Sequence, residues 1–93
     1  MLFYIACVDR PGALQLRLDT RSDHLAYLED FQGRIVFGGP TMGGEEETPN
    51  GSVLIVDMDD RTAAESFAAG DPYAKAGLFE SVTIAPIKQV FPK

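Results

Sequence analysis

Two stretches of this chain, residues 2–8 (Leu-Phe-Tyr-Ile-Ala-Cys-Val) and 53–56 (Val-Leu-Ile-Val), are apolar at every successive position. A strand with one face in water alternates apolar and polar residues, whereas an unbroken apolar run marks a strand covered on both faces. Both faces of these two segments therefore need a partner. Asp9-Arg10-Pro11-Gly12 ends the first run, and the spacing turns helical from Ala13 to Gln32, with Leu14, Leu18, Leu25 and Leu28 recurring as one apolar stripe. Thr20, with Asp23 three residues on, offers a fresh N-cap, which predicts either two short helices or one kinked near Asp19-Thr20. Gly33 falls where a C-terminal cap belongs. Arg34 to Gly38 reads as a second strand ended by Gly39-Pro40, since proline cannot donate to a ladder. Thr41 to Asn50 reads as a polar connection, and Asn50-Gly51 as a turn signal before a third strand, Val53 to Val56, that pairs with the second as a hairpin. Ala63, Ala64, Phe67 and Ala68 give a short amphipathic helix ending at Gly70, Asp71-Pro72-Tyr73 opens another helical turn, and Phe79 to Ile87 is a last strand with Val82, Ile84 and Pro86 on one side.

The order is βαββαβ, that of an α+β, ferredoxin-like sandwich with two helices on one face of a four-stranded antiparallel sheet. In that topology the first and third strands are central, and these are the two that are apolar throughout. The chain supplies helices for one face only. An open face carrying residues such as Phe3, Ile5, Val53 or Ile55 is a larger apolar patch than a monomer tolerates, so a homodimer packed sheet against sheet is expected.

At 93 residues the chain has room for one hydrophobic core, hence a single domain over 1–93. The net charge of −6 argues against nucleic acid, whose binding rests on clustered cations. Arg10, Arg17 and Arg21 nevertheless fall close together, a local positive spot suited to a small anion. Cys7 is the only cysteine, so there is no internal disulfide and no thiol pair for zinc; no metal is expected, and a reducing, cytoplasmic setting fits best. The apolar start lacks a basic leader and is too short to span a bilayer, so no membrane partner is expected.

On a continuous helix Arg17, Arg21 and His24 lie four and three residues apart and share one side. His24, the sole histidine, is the side chain best suited to moving a proton near neutral pH, and can equally be a half-buried helix histidine bonded to a carbonyl. Asp71 before Pro72 has the form of a helix cap, yet a carboxylate held there can also orient an imidazole. Arg17 and Arg21 are either solvated surface charges or a clamp for a carboxylate or phenolate. Asp9 is a turn former or a partner for one of them. The glycines and glutamates of 43–51 match no calcium loop and read as a solvated hairpin loop. Cys7 reads as a small core residue.

Several separated pieces carry a family likeness: Arg17-x-x-x-Arg21-x-x-His24-Leu25, Gly38-Gly39-Pro40, Asp71-Pro72-Tyr73 with Gly77 following, and Val82 to Pro86. With them the chain resembles the YciI-like proteins over nearly its whole length. Ser22-Asp23 depart from the proline-containing pair expected before the histidine, and the 41–51 loop is shorter and more acidic. The resemblance implies a dimeric α+β barrel of ferredoxin-like subunits, a site built on His24 and Asp71, and proton transfer on a small cyclic anion. The expected function is thus a cofactor-independent lyase or isomerase with His24 as general acid/base, Asp71 orienting it, and Arg17, Arg21 and Tyr73 binding substrate. The competing expectation is a non-catalytic, small-molecule-binding or accessory dimer module.

Overall fold

A computed structural model describes residues 1–93. Strand β1 (Leu2–Asp9) leads to helix α1 (Leu14–Glu29), a short 3₁₀ turn (Gln32–Arg34), strands β2 (Ile35–Gly43) and β3 (Thr48–Asp57), helices α2 (Arg61–Gly70) and α3 (Pro72–Lys75), and strand β4 (Phe79–Ile87). The sheet order is β2-β3-β1-β4, antiparallel throughout, so β1 and β3 are central as expected. This is the α+β, ferredoxin-like sandwich of the dimeric α+β barrel class. No helix is long and apolar enough to cross a membrane.

The helices cover one face, and the core beneath them is Phe3, Ile5, Cys7, Leu54, Val56, Met58, Ala64 and Phe67. Register sets the other face, because Tyr4 pairs with Ile55 and Ala6 with Val53, out of phase with Phe3–Val56 and Ile5–Leu54. Phe3 and Ile5 thus lie under the helices, not on the open face where they were expected. Tyr4, Ala6, Val8, Val53 and Ile55 occupy the open face, joined by Phe37 across from Ile55. Val8 is 51% and Phe37 54% exposed.

Helix α1 is continuous, and the break expected at Asp19-Thr20 is absent. The Thr20 hydroxyl donates to the Leu16 carbonyl one turn back (2.8 Å) instead of capping a new turn. The leucine stripe is corrected except at Leu28, which packs against the core. The two buried residues of α1 are Arg17 and His24, while Leu18 is 50% and Leu25 41% exposed. Polar side chains can occupy the inner face because each finds a charged partner there. The helix ends at Asp30 in a right-handed conformation, and Gly33 sits in the 3₁₀ turn, so it is not the cap.

Strand β2 runs through Gly39-Pro40 to Gly43. It is an edge strand, where a residue without an N–H is tolerated, so proline does not end it. The expected connection over 41–50 is accordingly mostly ladder, and the reversal falls at 44–47, with Gly44 and Glu47 at positive φ. Asn50-Gly51 lies within β3 and is not the turn. Glycine is required at 51 because a Cβ there would run into the Cys7 carbonyl oxygen of the neighbouring strand.

Candidate active site

Asp60 caps α2 by accepting from the Ala63 amide (2.8 Å), and the helix stops at Gly70, which delivers Asp71 to the start of α3. There Asp71 caps in turn: its Oδ1 accepts from the Tyr73 amide (2.9 Å) and Pro72 fills the first helical position. The same carboxylate meets His24 of α1, with Nδ1 2.8 Å from Oδ1 and 3.0 Å from Oδ2. The cap and the imidazole partner, compatible roles on sequence grounds, are one side chain in one place. Both residues are buried, at 8% and 4% exposure.

A carboxylate accepts and does not donate, so Nδ1 carries the proton and Nε2 is the ring's basic nitrogen. Nε2 has no hydrogen bond within the chain, yet no buried side-chain nitrogen or oxygen lacks a partner. Nε2 must therefore reach open space. His24 indeed lines a cavity of about 240 Å³ between α1 and strands β2 and β3.

Tyr73 completes the inner wall. Its ring stacks on the imidazole with centroids 4.0 Å apart and planes 17° from parallel, and the Arg17 guanidinium lies 4.6 Å from the ring centroid. Burial pushes the Tyr73 phenol above its ordinary pKa, and Asp71 adds to this, while Arg17 and Arg21 pull the other way. The phenol is therefore neutral at physiological pH, a donor rather than an oxyanion.

The two arginines separate. Arg17, 4% exposed, binds Asp9 through two parallel bonds (Nε to Oδ2 2.7 Å, Nη2 to Oδ1 2.9 Å), and Nη2 also donates to the Ser52 hydroxyl (2.9 Å). Burial works against the guanidinium's charge, but the bonds and charge of Asp9 more than offset it and raise its pKa. Asp9 is thus a partner and not only a turn former. Arg21, one turn along α1, is exposed at the cavity and has no carboxylate partner. Ser52 was missed from sequence; the only signal was a hydroxyl inside an apolar strand, at a position facing the helices. The cavity is polar at this inner end, and Leu18, Leu25, Leu28, Leu54 and Pro40 make the rest apolar. No three His, Cys, Asp or Glu side chains cluster as metal ligands would.

Cys7 lies in the core, where burial foremost, then the charge of Asp71, pushes its thiol up to about 12. Iodoacetamide at pH 7.5 should leave the folded chain unmodified and label it once urea unfolds it; rapid labelling of the folded protein would contradict this burial.

Comparison with known proteins agrees with this architecture. Residues 1–88 match the YCII-related domain family. An uncharacterized protein of Haemophilus influenzae is 36% identical over 98% of this chain and 100% of its own length, and protein YciI of Escherichia coli is 35% identical over the same shares. Among solved structures, a 5-chloro-2-hydroxyhydroquinone dehydrochlorinase (TftG) of Burkholderia phenoliruptrix, in complex with 2,5-dihydroxybenzoquinone, is 41% identical. It superposes with a TM-score of 0.89 over 95% of this chain and 94% of that one. SnoaB, a cofactor-independent oxygenase of Streptomyces nogalater, shares the fold alone, with a TM-score of 0.62 at 13% identity over 99% and 97% of the two chains. The motifs around His24, Gly38-Gly39-Pro40 and Asp71-Pro72-Tyr73 thus sit in the fold their resemblance implied, and the chain belongs to the YCII-related domain family.

Proposed function

We propose that this protein is a cofactor-independent lyase or isomerase that moves a proton on a small, anionic, hydroxylated ring. The observation that carries this reading is the imidazole of a cavity-lining histidine held at Nδ1 by the Asp71 carboxylate, which leaves Nε2 without a partner in the chain. Nε2 takes a proton from the bound ring, and Asp71 stabilises the imidazolium that results. In an elimination the electron pair left behind expels an anion, such as chloride; in an isomerisation the imidazolium returns the proton to another ring atom. Arg21 draws the anion in, and the Tyr73 phenol donates to a ring oxygen. The apolar walls suit the flat faces of the ring, and a cavity of about 150 Å³ is enough for benzene.

The test uses 5-chloro-2-hydroxyhydroquinone, the compound named for the TftG relative. Chloride release by the native chain is expected, with His24→Ala lowering it at least a hundredfold. Unchanged release in His24→Ala would dismiss the catalytic reading. Binding of 2,5-dihydroxybenzoquinone by a chain that turns over no ring substrate would leave a binding module. Access can be tested separately at Gly38, on the helix-facing side of β2 opposite Leu54, where a Cβ would make ordinary contact with the Leu54 Cδ2 at 3.6 Å. Gly38→Val is expected to keep the fold, occupy part of the cavity and weaken 2,5-dihydroxybenzoquinone binding about tenfold by calorimetry, roughly 1.4 kcal/mol.

We also propose that the open sheet face is buried in a homodimer. Tyr4, Val53 and Ile55 on the central strands and Phe37 on the adjoining edge strand make it a contiguous apolar surface. Light scattering at micromolar concentration should give twice the chain mass, and Ile55→Glu should halve it by placing a charge in the interface. A native chain that scatters as a monomer would refute the assembly.

A further inference from the structure

We infer that Arg17 is a positioning residue: through the ring of Tyr73 it fixes the plane of the His24 imidazole, and it does not hold the substrate. The inference rests on the catalytic reading of His24 and extends it. Arg17 and His24 are seven residues apart on α1, two turns or about 10 Å along the axis. That spacing leaves room for one aromatic ring in contact with both side chains. The Tyr73 ring is found there, 4.6 Å from the guanidinium carbon and 4.0 Å from the imidazole centroid.

The need for such a support follows from the hydrogen bonds of His24. Its contact with Asp71 is made through one atom, Nδ1, about which the imidazole can still pivot. Stacking on Tyr73 removes that freedom, and the two restraints together aim Nε2. Tyr73 in turn belongs to a four-residue helix, too short to set a ring by itself, and Phe79 lies crosswise to it, with centroids 6.1 Å apart and planes at 77°. The firm end of the chain of contacts is Arg17, tied to Asp9 at the end of β1 and to Ser52 of β3, both on the central strands. The order of support runs from sheet to Arg17, to Tyr73, to His24.

The same bonds make Arg17 a poor substrate clamp. Asp9 already neutralises it and Nε and Nη2 are engaged, which leaves Nη1 as a single donor on a compensated charge where a bidentate clamp needs two. Arg21, exposed at the cavity with its charge uncompensated by an ion pair, has the freedom that Arg17 lacks.

The sole histidine gives a direct readout, because the ¹⁵N signals of one imidazole report its tautomer in the free protein without assignment. The double variant Asp9→Asn/Arg17→Met removes both charges together and leaves neither orphaned. It is expected to shift the imidazole from a fixed Nδ1–H form toward a mixture of tautomers, and to lower kcat at least tenfold with KM within twofold. Tyr73→Phe keeps the ring and should keep the native tautomer. If the double variant does not fold, Arg17→Lys carries the test: its ammonium retains the charge but cannot bond Asp9 through two parallel N–H groups while contacting the ring, and the same shift is expected. Imidazole signals identical to the native protein in the folded variant would overturn the proposal. So would a KM raised tenfold at unchanged kcat, the mark of a substrate clamp. The imidazole signals decide on Arg17 even where His24→Ala leaves turnover unchanged, the result that sinks the catalytic reading instead.

Discussion

Asp71→Asn is expected to lower turnover of a ring substrate by on the order of 10² to 10⁴ while leaving the fold intact. Asparagine is as good an N-cap as aspartate, so the substituted side chain keeps its oxygen on the Tyr73 amide and the start of α3 is preserved. The same Oδ1 lies 2.8 Å from Nδ1 and can accept from both donors, but the amide NH₂ that replaces Oδ2 sets a second donor 3.0 Å from Nδ1–H. That repulsion weakens the hold on the Nδ1–H tautomer and favours the proton on Nε2, the nitrogen that must take one from substrate. The negative charge that would stabilise an imidazolium is lost as well. Melting temperature within a few degrees of native, 2,5-dihydroxybenzoquinone binding retained, and turnover collapsed is the expected set. Native turnover in Asp71→Asn would remove Asp71 from the mechanism.

The course of the chain was largely legible because it is written in short-range patterns. Apolar runs at 2–8 and 53–56 marked the central strands, and the hairpin between β2 and β3 followed from their adjacency. Periodicity failed where tertiary contacts decide. Leu18 and Leu25 repeat at the spacing of a buried stripe, but they border the cavity, and the inner face of α1 is given to Arg17 and His24. Only the partners Asp9, Ser52 and Asp71 make that arrangement affordable in free energy, and they lie 8, 35 and 47 residues away from the side chains they meet. The same cause hid the full length of β2. Gly39-Pro40 is a stop signal in a central strand and harmless at an edge, and which strand is at the edge is a property of the sheet. The histidine and the aspartate were singled out by residue type and by family likeness; their meeting in one hydrogen bond is visible only in three dimensions.

Asp9→Ala should be the most damaging single substitution for stability, costing about 3–5 kcal/mol. Asp9 supplies both carboxylate oxygens to a guanidinium whose residue is 4% exposed, and alanine leaves that charge buried with only the Ser52 hydroxyl and the Tyr73 ring beside it. Arginine cannot escape by losing its proton, because its pKa lies far above any working pH. The chain must then either hydrate the inner end of the cavity or swing Arg17 out, and swinging it out uncovers the Tyr73 ring. Against a total stability of roughly 5–15 kcal/mol, a loss of that size removes a large fraction of the whole. Urea denaturation should show a sharply lowered midpoint for Asp9→Ala and a substantial recovery when Arg17→Met is added, since the second change removes the stranded charge. Equal losses in the single and double variants would mean that packing, and not the unpaired guanidinium, sets the cost.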